Sequence, residues 1–219
     1  TALVRASQDI IAEGRRRAAE ILEAAEEDVT YSEGRFTISG TDRAIGLFEI
    51  ANQAPLAATS IINERLHANP NGAGGAEVEI DPDTGAVEII RYACVDDVGR
   101  IVNPMIAAGQ VHGGIALGLG QALIEQIVYD QNGQLVTGSF LDYAMPRASD
   151  FPAFQTATNE QPAPSNPLGV KGAGECGTTP SSAALISAIA DALAEFGVDH
   201  LEMPATPERI WRLIQNGRT

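Results

Sequence analysis

Apolar residues at the start of the chain recur with the rhythm of a helix. Ala18, Ile21, Leu22 and Ala25 fall at i, i+3, i+4 and i+7, so residues 2–28 are predicted as one helix with a single buried stripe and an acidic end from Glu23 to Asp28. The rhythm then changes to alternation. In YSEGRFTISG, Gly34 sits where a turn belongs and Phe36 and Ile38 point to one side, which predicts a short hairpin. A short helix from Asp42 to Ala51 is expected to close this α-β-α unit.

The pattern then lapses. Between Gln53 and Gly75 come Pro55, Pro70, Gly72, Gly74 and Gly75, and the second half of this stretch reads as a linker or an irregular surface crossing. We therefore expect two domains, an N-terminal helical α/β unit over 1–66 and a larger α+β domain over 67–219. In the larger one, Ala76, Val78 and Ile80 alternate with Glu77 and Glu79, DPDTG supplies a turn, and Val87 to Val95 continues, predicting a β-hairpin over 76–95. Asn103-Pro104 opens a helix to about Ile124, because Asn caps free N–H groups and Pro has none to lose. Asn132-Gly133 marks a tight hairpin between strands near 126–130 and 134–138, and a Pro-rich segment runs from Pro146 to Pro167. Thr179-Pro180 and Thr206-Pro207 open two last helices, through Ala194 and Ile214. The fold class expected is α+β, mixed hairpins with helices packed on them.

The helix from Pro104 carries Gly109, Gly113, Gly114, Gly118 and Gly120. Each interior Gly costs about 0.5–1 kcal/mol relative to Ala, so something must approach this backbone closely. Either another element packed tightly or a ligand satisfies that, and Gln110 and His112 stand in the same turn.

Composition narrows the function. With 14 Lys and Arg against 29 Asp and Glu, the net charge of −15 repels phosphate backbones and anionic lipid, so no nucleic-acid partner is expected. No apolar run approaches the roughly 20 residues of a membrane span, so no membrane insertion is expected either. Cys94 and Cys176 lie far apart, and His67, His112 and His200 have no zinc-site spacing. Two unpaired thiols fit a reducing compartment, and the expected location is cytoplasmic.

The loop KGAGECG (171–177) holds the spacing Gly172-x-Gly174-x-x-Gly177 with Glu175 inside it. A dinucleotide cradle needs a buried strand before the glycines and an uncharged turn. Pro164 and Pro167 spoil the strand, and Glu175 would repel a pyrophosphate. Two readings stay open: a Glu that merely caps the next helix, or an ionised carboxylate presented as a general base while the glycines let the backbone approach a ligand.

The segments VDDVGRIVNPMIAAGQVHGGIALGLGQAL, GSFLDYAMPRASDFP, PSNPLGVKGAGECGT and MPATPERIW stand in this order. Together they resemble the C-terminal part of the molybdenum-binding large subunit of the xanthine dehydrogenase family, and most of all its bacterial aldehyde oxidase and carbon monoxide dehydrogenase-like branches. The resemblance covers essentially the whole chain. It implies a molybdenum hydroxylase that adds water-derived oxygen to an aldehyde, N-heterocycle or carbon monoxide. The metal would be held by molybdopterin, in many bacterial members as the cytosine dinucleotide, with no side chain as a direct ligand. By position, Glu175 matches the catalytic glutamate beside molybdenum, Gln110 matches the amide that contacts the pterin, and the backbone of Val170, Lys171, Gly172, Ala173 and Gly174 matches the stretch along the cofactor. Cys176 stands where the family has Ala or Ser, either as a small packing residue or as a thiol activated by the helix end. The implied partners are the upstream half of the subunit, Fe–S and FAD domains or subunits, and a small-molecule substrate. Against this stand a non-catalytic fragment or structural subunit and a Rossmann site for NAD or FAD.

Overall fold

The computed structural model describes residues 1–63 and 67–217. The chain divides into two compact units, Thr1–Leu66 and His67–Thr219. Residues 64–66, beside which the expected domain boundary falls, lie outside the described residues.

In the first unit α1 (Ala2–Leu22) packs on an antiparallel sheet of β1 (Val29–Ser32), β2 (Arg35–Ile38) and β3 (Ala44–Gly46), and α2 (Leu47–Gln53) follows. Its core is Ala18, Val29, Phe36, Ile45 and Ile50. The expected helix over 2–28 is shorter than its apolar rhythm. Glu23 takes a left-handed conformation (φ 49°) and turns the chain off α1, and four acidic side chains between Glu23 and Asp28 would oppose the negative end of a longer helix. Ile21, placed in the buried stripe by periodicity, is 41% exposed. The expected helix from Asp42 begins later, because Ile45 pairs with Phe36 in the sheet first. Glu49 then accepts a hydrogen bond from the Gly46 N–H at 2.9 Å and starts α2.

The second unit is a mixed sheet with helices packed on it, α+β as the pattern implied. β4 (Asn71–Ile80) and β5 (Val87–Asp97) form the expected hairpin, and β6 (Gln155–Thr158) joins β5 in parallel. β4 starts inside the stretch read as a linker. Its glycines are close-approach positions: a Cβ on Gly74 would come within 2.7 Å of the Tyr92 hydroxyl, and one on Gly72 within 2.6 Å of the Asp96 carboxylate. At the bulge beside Glu77 and Val78, Ile90 has no partner, so Ile89 and Tyr92 both face the core although three positions apart.

α3 (Pro104–Leu123) begins as expected, with Asn103 accepting from the Ile106 N–H at 3.1 Å. α4 (Thr178–Ala192) and α5 (Pro207–Gly217) complete the layer. Their core joins Ile115, Leu119, Leu185, Ile189, Ile210 and Ile214 to Ile89 and Tyr92 of the sheet. The hairpin at Asn132-Gly133 is a turn with one bridge, Tyr129 to Leu135, rather than two strands. Asp130 Oδ1 accepts from the Asn132 and Gln134 N–H groups and closes that turn locally, so no long ladder is needed.

The glycines of α3 divide in two. Gly114 and Gly118 face the first turn of α4, where a Cβ on Gly114 would lie 2.9 Å from the Thr178 nitrogen, and Gly118 touches Ser181. From the other side, a Cβ on Gly177 would collide with the Val111 carbonyl and lie 2.7 Å from the Ile115 nitrogen. Gly109 and Gly113 face open space. Gly177→Ala should therefore lower unfolding free energy by about 1–3 kcal/mol. Gly113→Ala should raise it by about 0.5–1 kcal/mol. Denaturant unfolding of the two variants side by side checks the contrast.

Candidate active site

Two anchors define the loop from Val170 to Gly177. At its front, the Asn166 side chain accepts from the Val170 N–H (3.1 Å) and donates to the Val170 carbonyl (2.9 Å), and the Lys171 N–H donates to the Val98 carbonyl (3.0 Å). The Lys171 ammonium lies 2.6 Å from Asp97 Oδ2, an ion pair whose side chains are 10% and 6% exposed. At the rear, Gly177 lies against α3, the Thr178 hydroxyl donates to the Gly114 carbonyl (3.1 Å), and the Thr179 N–H donates to the Glu175 carbonyl (3.1 Å).

Between the anchors, the N–H groups of Gly172, Ala173 and Gly174 have no protein partner among the described residues. Gly172 faces open space, and the Gln110 amide lies 3.7 Å from where a Cβ on Gly174 would stand. Glu175 is exposed, and its carboxylate has no protein partner among the described residues. It sits two residues before the Gly177 cap of α4. A cavity of about 340 Å³ opens beside it, walled by Asn71, Gly72, Asp96, Gly172, Glu175 and Cys176.

The structure thus gathers Gln110, Gly172, Ala173, Gly174 and Glu175 on one surface of the second unit. Val170 and Lys171 belong to the same loop, but the Val170 polar backbone groups and the Lys171 N–H are engaged by protein partners. His112, singled out with Gln110, turns instead to Thr156 (3.2 Å) and the Phe154 ring.

Sequence reasoning did not single out the paired carboxylates Asp96 and Asp97, both nearly buried at the end of β5. The available signal was two acids closing an apolar strand. Asp97 Oδ1 accepts from the Gly99 (2.9 Å) and Gln161 (3.2 Å) N–H groups. Lys171, then those N–H groups, hold its carboxyl down at about 2. Asp96 lines the cavity and accepts from the Cys94 thiol at 3.4 Å.

A family model of the molybdopterin cofactor-binding domain matches residues 1–152. The chain belongs to the molybdopterin cofactor-binding domain family. Its relatives include the gamma subunit of the 6-hydroxypseudooxynicotine dehydrogenase complex of Paenarthrobacter nicotinovorans, 37% identical over 96% of this chain and 28% of the relative. The carbon monoxide dehydrogenase large chain of Hydrogenophaga pseudoflava is 34% identical over 98% of this chain and 28% of its own length. Among solved structures, quinoline 2-oxidoreductase from Pseudomonas putida 86 superposes with a TM-score of 0.82 at 35% identity, covering 96% of this chain and 29% of that one. The chain thus spans less than a third of the length of the curated relatives it matches.

The surface fits such a cofactor. Consecutive open N–H groups with an exposed amide beside them suit an oxygen-rich ligand. Among the described residues no group of three or more His, Cys, Asp or Glu side chains could hold a metal ion. Also among the described residues, no helix is long and apolar enough to cross a membrane.

Cys176 is not an activated thiol. Burial pushes its thiol up, and Asp96 and Asp97 push it further. Cys94 is pushed up to about 12 by burial and by its bond to Asp96. Alkylation by iodoacetamide near neutral pH should be slower at Cys176 than for free cysteine, and slower still at Cys94. Peptide mapping over time measures both rates.

Asp97 also gives a pH dependence. Its folded value of about 2 lies below the ~3.9 of an unfolded chain. Its contribution to stability is therefore fully present above about pH 4 and is lost as pH falls towards about 2. The advantage of wild type over Asp97→Asn in urea unfolding should be flat between about pH 5 and 8 and shrink below about pH 4.

Proposed function

We propose that this chain forms one wall of the active site of a molybdenum hydroxylase large subunit, with Glu175 as the general base. The observation that carries the reading is the Glu175 carboxylate. Among the described residues it has no protein partner, and it stands exposed at the cavity mouth, on a loop pinned at both ends. The relatives suggest the reaction class, since they include a nicotine 6-hydroxylase, a carbon monoxide dehydrogenase and a quinoline 2-oxidoreductase.

The cofactor we assign is molybdopterin in its cytosine dinucleotide form, which would supply the metal centre that takes two electrons from the substrate. Everything else falls to the chain. Gln110 and the Gly172, Ala173 and Gly174 amides hold and orient the cofactor along the loop. Glu175 takes the proton of the attacking water at its carboxylate, so that oxygen adds to an electrophilic carbon, and then releases that proton to solvent. The net change is one oxygen gained by the substrate, with two electrons and two protons removed from substrate and water. The electrons pass to Fe–S and FAD partners. The substrate is an aldehyde, an N-heterocycle or carbon monoxide, and the pocket that selects it belongs to an upstream part of the subunit. The isolated chain is therefore inactive. We place the complex in the cytoplasm, where free Cys94 and Cys176 remain reduced.

Glu175→Gln in the complete enzyme keeps the shape of the side chain and removes the base. Turnover should fall ~10²–10⁴-fold with molybdenum content unchanged. Retained turnover at full molybdenum loading would overturn the assignment.

A further inference from the structure

The Asp97 carboxylate makes more contacts than an ion pair requires. It receives the Lys171 ammonium (2.6 Å), the Gly99 N–H (2.9 Å), the Gln161 N–H (3.2 Å) and the Asn71 side-chain amide (3.4 Å). These donors come from four places: the start of β4, the turn after β5, the segment after β6, and the Glu175 loop. Partners 64 and 74 residues away in sequence meet on one carboxylate.

Lys171 is the last residue of the loop whose N–H has a protein partner before Gly172, Ala173 and Gly174, and the Gly172 carbonyl is met only from within the loop, by the Cys176 thiol at 3.5 Å, among the described residues. Glycine has more backbone freedom than any other residue, so this stretch does not fix its own path. The position of Glu175 is set by what holds the two ends. The rear is held by close backbone packing of Gly177 on α3, and the front by the Asn166–Val170 bonds, the Lys171 N–H bond to the Val98 carbonyl and the Asp97–Lys171 pair, the one of these that ties a side chain of the loop to a buried charge.

We propose that Asp97 is a positioning residue for Glu175: through Lys171 its buried carboxylate fixes the front of the loop and so sets where the Glu175 carboxylate stands over the cavity. This rests on Glu175 being the base. Asp97 itself touches neither substrate nor cofactor and acts through the loop. Without the pair, the folded unit retains its α3–α4 contact and its core, while Gly172 to Glu175 samples a wider range of paths. A displacement of about 1 Å at a catalytic group can cost on the order of 10²-fold in rate.

The test uses the complete enzyme with Asp97→Asn and, as a second route to the same break, Lys171→Gln. Hydrogen exchange followed by mass spectrometry reads the loop directly. Amides of 170–177 should exchange faster by on the order of tenfold or more in both variants, with those of Val111 to Ala122 in α3 unchanged. Turnover is then measured with Glu175 present and with Glu175→Gln. Breaking the pair should lower kcat by on the order of 10-fold to 10²-fold with KM little changed, and should cost almost nothing further in the Glu175→Gln background. Unchanged loop exchange, or losses that multiply in the double variant, would overturn the proposal. If Glu175→Gln alone retained turnover, the base assignment would fall, while faster loop exchange on breaking the pair would still uphold the tether.

Discussion

Gly177 has no room for a side chain, and the geometry of the candidate site follows from that contact. Its backbone lies against the Val111 carbonyl and the Ile115 nitrogen, so the first turn of α4 meets α3 main chain to main chain. The next helical turns continue the approach, with Thr178 bonded to the Gly114 carbonyl and Ser181 seated against Gly118. A closer crossing brings the residues just before α4 beside those one turn back along α3, which is why Gln110 comes to lie near Gly174. With ordinary side chains at 114, 118 and 177, helix axes would sit roughly 8–10 Å apart and the loop would be lifted off the amide. The glycine load of α3 is thus explained in part by packing. Gly109 and Gly113 are left over, on the open side.

Charge around the loop is arranged in a complementary way. A chain with a net charge of −15 places two nearly buried carboxylates beside a third, Glu175, and among the described residues only one of the three has a cation. Asp97 takes Lys171 and is satisfied. Asp96 accepts from the Cys94 thiol, and burial first, then the nearby carboxylates, push the Cys94 and Cys176 thiols up. A neutral Cys176 next to the proposed base is a packing residue that does not compete with it as a nucleophile. The helix-end argument alone would have favoured a thiolate, but burial first, and the nearby carboxylates after it, outweigh the partial charge of one helix terminus.

Features with local causes were legible in the sequence. Asn103-Pro104 and the DPDTG turn carry their own hydrogen-bonding logic within a few residues, and the structure places them as read. The sequence also presented the KGAGECG loop as a glycine-rich carrier of one carboxylate. Features with distant causes were not legible. β6 is four residues in a Pro-rich stretch and is a strand only because β5 lies beside it. The glycines of β4 read as linker because Tyr92, Asp96 and Pro180, which need that space, are supplied by other elements. Asp97 was not singled out, because its four donors are spread along the chain from Asn71 to Lys171. Ile21 shows the opposite error, since a sound period placed a residue on a face that the sheet does not cover.

The same second unit leaves large apolar side chains in water. Ile127, Tyr129, Val136, Phe140, Leu141 and Met145 are each more than half exposed, Phe140 at 85% and Leu141 at 94%, within one excursion after α3 that holds a single β-bridge. Scattered apolar exposure is ordinary, but so many large apolar side chains in one short excursion are a common mark of a contact surface. A tight local turn at Asp130 gives this excursion its shape without any core of its own, so its apolar side chains gain burial only from a neighbour. That is the expected condition of a domain that supplies one wall of a shared active site. The proposed wall and the exposed excursion then have one physical origin: a unit whose own core is complete around α3, α4 and the sheet, and whose remaining apolar surface, under the function proposed, faces the rest of a larger enzyme.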